Sequence, residues 1–382
     1  MDRIKDKTLL LFSLIGAATL LFMPLITYKP NRIARGNQFG SIEYLGAAVI
    51  IIAILWVILV ALSFYAKNNT DMLVFLVSVV LFIALFWSLQ LNAGDYIENP
   101  AARISLSSGF YIQMFLMYML FSTYTGRIKE HRIIKIIGFL SIVSVLGFLF
   151  YKGLFNDFSI IKEFYSKRTQ FFNNLRIHAI LTFSSVVTGI IIAIPLGFLA
   201  YSKKRLEGKI MLPLSIIETI PSLSLFAIFL VPLSGLGKLA FFDSIGVSGI
   251  GWAPAYLALT LYTLLPIGRN TLTGFYSVDR NIIEAAKGMG MSKSQVLRKI
   301  ELPLAFPVIF TGIRIAFIQT IGGAVLAGLV GGGGMGTFVF LGLGEASPDL
   351  ILLGVLPIVF FTIILDYFLK KFEKTIRRVI YD

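Results

Sequence analysis

The sequence predicts an all-α integral membrane protein of about ten transmembrane helices, and three observations carry that expectation. Hydrophobic residues fill 57% of the 382 positions and charged residues only 14%, against roughly 25% charged in an ordinary soluble chain. The mean hydropathy is +0.85, and the apolar residues fall in repeated runs of about 20, the length an α-helix needs to cross a hydrocarbon core. Lysine and arginine are also distributed unevenly between alternate loops, as membrane topology requires.

The runs place spans at 8–27, 44–66, 72–91, 108–125 and 133–151, then at 177–201, 211–233, 254–273, 303–330 and 350–370. The first follows a charged MDRIKDK start resembling the n-region of a signal peptide. No small-residue cleavage site follows, so it reads as an uncleaved anchor. With the amino terminus inside, the inner loops carry 22 of the 34 basic residues, counting Lys135 and Lys370 at adjoining span ends. Outer loops carry 10, and Arg269 and Arg314 lie within spans. The acids show no such bias: 10 fall inside, 8 outside and 2 in spans. The net charge of +14 therefore reports topology, both termini are expected inside, and no nucleic-acid partner is expected.

Absence of cysteine excludes disulfides and thiolate-bound metals. His131 and His178 stand far apart, so no metal site is expected. Residues 1–150 contain 9 glycines and 3 prolines, whereas 151–382 contain 25 and 10. Such residues loosen helices wherever protein or water satisfies the freed backbone. The first 150 residues read as a membrane extension of about five plain helices, 151–176 as an external linker, and 177–382 as the moving part. The linker is open between an amphipathic surface helix and a connecting loop.

The loop at 277–302, carrying EAAKGMGMSKSQVLRKIELP at 284–303, is the soluble-looking insert of the second half. Asp279 can cap a helix from Arg280 to Met289, with Ile282, Ala286 and Met289 on one face. Gly288 and Gly290 supply a turn. Ser292 and Gln295 then form a capping box for a second helix through about Ile300, and Pro303 starts the next span. An apolar-faced helix in an inner loop suits docking on a soluble partner or lying on the membrane surface.

The segment is similar to the cytoplasmic signature of ABC importer permeases: E-A-A, three residues, G, nine residues, I, one residue, L-P. Glu284, Ala285, Ala286, Gly290, Ile300, Leu302 and Pro303 match every fixed position. ETIPSLSLF at 218–226, LLPIGRNTLTGF at 264–275, FPVIFTGIRIA at 306–316 and GGGGMG at 331–336 resemble the osmoprotectant branch, which serves glycine betaine, choline and carnitine. The resemblance covers about residues 170–370, and the first 150 residues look like the extension of one subgroup. It implies a type I permease core working as a dimer with a second copy or a paralogue in the bacterial plasma membrane. Two ATP-binding subunits would seat on the coupling loops and hold the ATP and Mg, with no cofactor on this chain. An external solute-binding protein would deliver a small quaternary-ammonium solute. A permease for amino acids such as methionine is the alternative within the class. A polytopic receptor or scaffold signalling through the same loop is the alternative outside it.

Ionisable side chains inside spans are functional-site candidates by default. Arg314 lies about 16 Å along its helix from Pro303, near the midplane. Glu218 and Arg269 lie about 10 and 12 Å from the inner ends of their spans. Matching depth makes Glu218–Arg269 the expected ion pair of a translocation pathway or gate, with Arg314 the alternative partner and Pro221 and Asn270 beside them. Asp366 is expected to snorkel beside Lys370 and Lys371. Gly331, Gly333 and Gly336 spell GxGxxG, but no strand or βαβ unit surrounds them, so they read as an outer hinge or turn. No Walker A pattern occurs, so ATP hydrolysis and catalytic residues are not expected here. Trp56, Trp87 and Trp252 are scattered, which favours packing over a cation–π cage.

Overall fold

The computed structural model describes residues 5–32, 34–65, 68–93, 99–128 and 130–381. Residues 1–4 of the charged start and position 66 at the end of the second expected span lie outside them. The chain divides into two compact units, Met1–Ser166 and Lys167–Asp382.

The first unit runs α1 (Lys7–Phe22), β1 (Pro24–Lys29), β2 (Asn37–Gly40), α2 (Ser41–Leu45), α3 (Ala48–Leu62) and α4 (Asn68–Leu91). It continues through β3 (Arg103–Leu106), α5 (Ser108–Arg127), α6 (Arg132–Tyr151) and α7 (Ser159–Ser166). The three strands form one antiparallel sheet of order β2-β1-β3, so the all-α expectation fails here. The first expected span stops at Phe22 rather than 27. Pro24 has no amide hydrogen to continue the helix, and Ile26, Thr27 and Tyr28 pair with strands on both sides. Hydropathy alone cannot separate a short strand from the end of a helix.

Three segments that the charge count puts on one side of the membrane meet at this sheet. Ile104 donates its amide to the Asp157 carbonyl at 3.1 Å. Glu163 on α7, buried, accepts from Arg32 at 2.9 Å and Arg103 at 2.7 Å. At the opposite end Asp6 caps α1 through the Leu9 amide at 2.9 Å and accepts from the Tyr124 hydroxyl at 2.8 Å and from Arg127. The amides of Lys5 and Asp6 reach the Ser63 carbonyl there. Helices α1, α3, α4, α5 and α6 run between these two ends.

Between the ends, Gln113 donates to the Gly16 carbonyl and Thr19 hydroxyl at 2.7 and 2.8 Å and accepts from the Trp56 indole at 2.9 Å. A buried amide with its partners supplied joins α1, α3 and α5 where an unsatisfied one would be expensive.

The second unit begins with α8 (Arg168–Ser202), α9 (Lys204–Thr219), α10 (Ser222–Leu236), α11 (Ala240–Ser244) and α12 (Trp252–Tyr276). It ends with α13 (Arg280–Gly288), α14 (Lys293–Val296), α15 (Leu302–Gly323), α16 (Gly336–Gly344) and α17 (Pro348–Tyr381). Residues 151–176, open between helix and loop in the sequence, contain α7 and the opening turns of α8. Among the described residues, five helical stretches are long and apolar enough to cross a membrane: Thr70–Leu91, Arg132–Tyr151, Arg168–Ser202, Lys293–Gly328 and Pro348–Ile380. A sixth is added if the bent pair of α9 and α10 counts as one span, by length and composition alone. Helices α1 and α3 have 16 and 15 residues, and polar residues dilute α5 and α12. The expected span 211–233 is two helices, α9 and α10, bent by 103°.

Glycine in this unit serves contact more than looseness. A Cβ on Gly189 of α8 would stand 1.8 Å from the Thr263 hydroxyl of α12. One on Gly312 of α15 would stand 2.5 Å from Asn270 Cβ and 2.7 Å from the Pro266 carbonyl. Small residues let α8, α12 and α15 approach closely, as packing within a lipid phase favours.

Gly312→Leu is expected to overpack the α12–α15 contact and destabilise the unit by about 1–3 kcal/mol, read as a lowered unfolding temperature in detergent. Burial would raise the Asp6 carboxyl, but Leu9, Tyr124 and Arg127 more than offset it and hold its pKa below 3.8. Its stabilisation is therefore complete above that value and is lost as pH falls through the lowered pKa. Asp6→Asn should lower stability by up to about 1 kcal/mol at pH 7 and converge with the wild-type protein in acid.

Candidate functional site

Two regions of the second unit gather the residues singled out by the sequence. The first is the helical hairpin of the 277–302 loop. Asp279 accepts from the Asn281 amide at 2.8 Å and starts α13. Gly290 has φ +82°, the left-handed conformation that favours glycine. The Met291 amide bonds to the Ala286 carbonyl and the Gly290 amide to the Lys287 carbonyl, which together close a Schellman turn. The spacing of E-A-A to G in the motif thus corresponds to a helix and its stop signal. Ser292 and Gln295 make the expected capping box.

The second helix departs from expectation. Instead of ending before Pro303, it runs on from Lys293 to Gly328 as one stretch. A π-helical turn, Leu297–Glu301, precedes α15, and the Leu302 amide donates to the Leu297 carbonyl five residues back. Pro303 sits in the first turn of α15, where its missing N–H is accommodated by the changed register. The second arm of the hairpin is therefore continuous with α15.

The expected apolar face of α13 is split. Ala286 is buried, with Ile283 packed against the core, while Ile282 is 44% and Met289 77% exposed. Ala285, three residues past Ile282 and four before Met289, completes an exposed apolar stripe on the same face. Glu284 is exposed beside it. Ile300 and Pro303 are half-buried and Leu302 is 40% exposed. Behind the hairpin, the Tyr201 hydroxyl of α8 donates to Glu301 at 2.9 Å, and its ring stacks on Phe275 of α12 at 5.1 Å.

The second region is the helix break. Ile220 (φ −67°, ψ 128°) and Pro221 (φ −54°, ψ 132°) are extended between α9 and α10, as a residue before proline prefers. The Tyr262 hydroxyl of α12 donates to the freed Ile220 carbonyl at 2.6 Å. Around the break is a cavity of about 440 Å³, lined by Glu218, Pro221 and Ser222 on one side and by Tyr262, Gln319 and Thr320 on the other. Gln319 and Thr320 were legible only as two polar residues late in an apolar span, and nothing in the pattern pointed to Tyr262.

The expected Glu218–Arg269 pair does not form, nor does Glu218 meet Arg314. Both Glu218 and Arg269 are exposed, and neither belongs to an ion pair among the described residues. Arg314 instead holds Asp366 at 2.7 Å and Glu373 at 3.4 Å, both on α17. Glu373 also accepts from Thr311 at 3.0 Å and Arg377 at 3.1 Å. Asp366 binds Lys370 at 2.7 Å as well, so it faces a helix partner rather than only the interface. Helix phase decides which side chains meet, and position along a helix does not carry it. Asn270 bonds back to the Pro266 carbonyl at 2.8 Å against Gly312, a packing position.

The GGGGMG loop is a pinned turn. Gly331 (φ +74°) bridges Gly251, whose amide donates to the Val330 carbonyl at 2.6 Å. Trp56 lies in the core and Trp87 stacks on Phe148 at 6.4 Å. Among the described residues no group of three or more metal-ligating side chains occurs.

The second unit thus combines membrane-length helices, a helical hairpin whose second arm continues into one of them, and a cavity at a broken helix. Residues 185–378 match the family model of the binding-protein-dependent transport system inner membrane component, and the chain belongs to that family. Residues 3–161 match the model described as the N-terminal domain of the ABC transporter permease YehY. The choline transport system permease protein OpuBB of Bacillus subtilis is 40% identical over 197 residues, 52% of this chain and 84% of that relative. The glycine betaine/carnitine/choline permease OpuCB of the same organism is 39% identical over 199 residues, 52% and 85% of the two chains. The osmoprotectant import permease OsmW of Salmonella typhimurium is 38% identical over 196 residues, 51% and 86%. Among solved structures, an inward-facing form of the MetNI methionine ABC transporter is 21% identical with a TM-score of 0.47, covering 55% of this chain and 97% of that one.

Arg314→Ala is expected to destabilise the α15–α17 contact by about 2 kcal/mol, since it strips charged hydrogen bonds from two acids. Arg314→Lys should recover part of that in the same detergent melt.

Proposed function

We propose that this chain is the permease through which a bacterial ABC importer takes up small quaternary-ammonium osmoprotectants such as choline, glycine betaine or carnitine. The observation that carries the reading is the exposed stripe of Ile282, Ala285 and Met289 beside Glu284, on a hairpin built as an extension of α15. A free apolar stripe flanked by an acid suits a groove on a soluble subunit. The names of the relatives support the solute class.

In this reading two ATP-binding subunits, holding ATP and Mg, seat on the hairpins of two permease copies or of a permease and a paralogue. A binding protein outside delivers the solute. Ten crossings in all, with a type I core at 177–382, put the hairpin and both termini in the cytoplasm and the sheet of the first unit outside. Closure of the ATP-bound dimer pushes α13, and the continuous helix carries the displacement to Gln319 and Thr320 at the cavity. Glu284 is read as pairing with a basic group on the ATPase.

Glu284→Lys and Met289→Asp should each reduce binding-protein-stimulated ATP hydrolysis and solute uptake at least about tenfold in the reconstituted complex, with the permease still folded. Both sites are exposed, so the melting temperature should hold, and undiminished uptake in both variants would sink the coupling role.

A further inference from the structure

The cavity at the helix break is lined by a carboxylate, Glu218, that forms no ion pair among the described residues. We infer that it is a cation subsite in which Glu218 receives the quaternary-ammonium headgroup of the solute during translocation. This deepens the proposed function and rests on it.

Four observations meet here. Glu218 lines a cavity of about 440 Å³, within the range of small-molecule sites, and forms no ion pair among the described residues. The carbonyl end of α9, which stops at Thr219, and the amide end of α10, which starts at Ser222, both lie at this break, so the two helix poles offset one another and Glu218 sets the charge. Only one acid lines the cavity, and no metal-ligating cluster of three or more occurs among the described residues, so a bare divalent ion finds too few ligands. The remaining walls include Leu259, Ile220, Pro221 and the Tyr262 ring. A quaternary ammonium has no N–H to donate, so it needs negative charge and apolar or aromatic surface rather than a full hydrogen-bonding shell.

The Tyr262 hydroxyl is already committed to the Ile220 carbonyl. Its donor therefore fixes the shape of the break, leaving Glu218 as the charged group free to meet a ligand. Gln319 and Thr320 reach the same cavity from α15, the helix continuous with the hairpin, so a shift of α15 changes the distance across the subsite. One carboxylate in a partly open site gives weak and reversible binding, which suits passage.

The test is uptake of radiolabelled choline by the complete transporter in proteoliposomes, comparing the wild-type protein with Glu218→Gln, Glu218→Asp and Glu218→Lys. Glu218→Gln keeps size and loses charge, whereas Glu218→Asp keeps charge and loses a methylene. A charge subsite predicts that Asp retains most uptake, that Gln loses about tenfold or more, and that Lys falls to background. The reverse order, Gln equal to wild type and Asp impaired, marks a packing position and overturns the inference. Equal uptake by all four proteins overturns it too. If the wild-type complex carries neither choline nor glycine betaine, the osmoprotectant reading fails and the subsite falls with it, which separates the two failures.

Discussion

Backbone amides and carbonyls inside an apolar phase have no water to bond, so they must satisfy one another or be met by a side chain. That constraint organises the second unit. Where it is met by unbroken helix, in α8, α12 and α15, side chains are small at the contacts and the helices pack closely. Where it is relaxed, at Ile220–Pro221, a specific partner steps in. Tyr262 bonds the freed Ile220 carbonyl, and a π register carries the chain past Pro303. Both irregularities lie in the regions where the sequence motifs fall.

The same helices connect those regions. The hairpin continues into α15, which packs through Gly312 on α12, lines the cavity with Gln319 and Thr320, and grips α17 through Arg314. Tyr201 ties α8 to Glu301 at the base of the hairpin. The helix from Lys293 to Gly328 is therefore held by contacts to α8, α12 and α17. The contiguity is geometric, and coupling in the energetic sense requires two arrangements of that helix.

The first unit follows the constraint differently. Its five main helices carry little glycine, and polar groups among them are satisfied through Gln113 and Trp56 within and through Asp6 and Tyr124 at one end. The opposite end closes on strands, where edge groups meet partners from β3 and the Phe158 bridge. Glu163 bridges two arginines there and offsets part of their mutual repulsion.

The sequence by itself determined what depends on composition and on neighbours a few residues away. Membrane character, the capping box at Ser292, the helix stop at Gly290 and the anomaly of charges inside spans are all local, because caps, turns and hydropathy act within a turn or two of chain. The tertiary structure alone decided what depends on which faces meet. Arg314 chose Asp366 and Glu373 over Glu218, Ala286 turned inward while Ala285 stayed out, and residues 24–29 became a strand because partners arrived from 37–40 and 103–106. Depth along a helix can be counted from a sequence, but rotation about its axis is fixed by packing against elements distant in the chain.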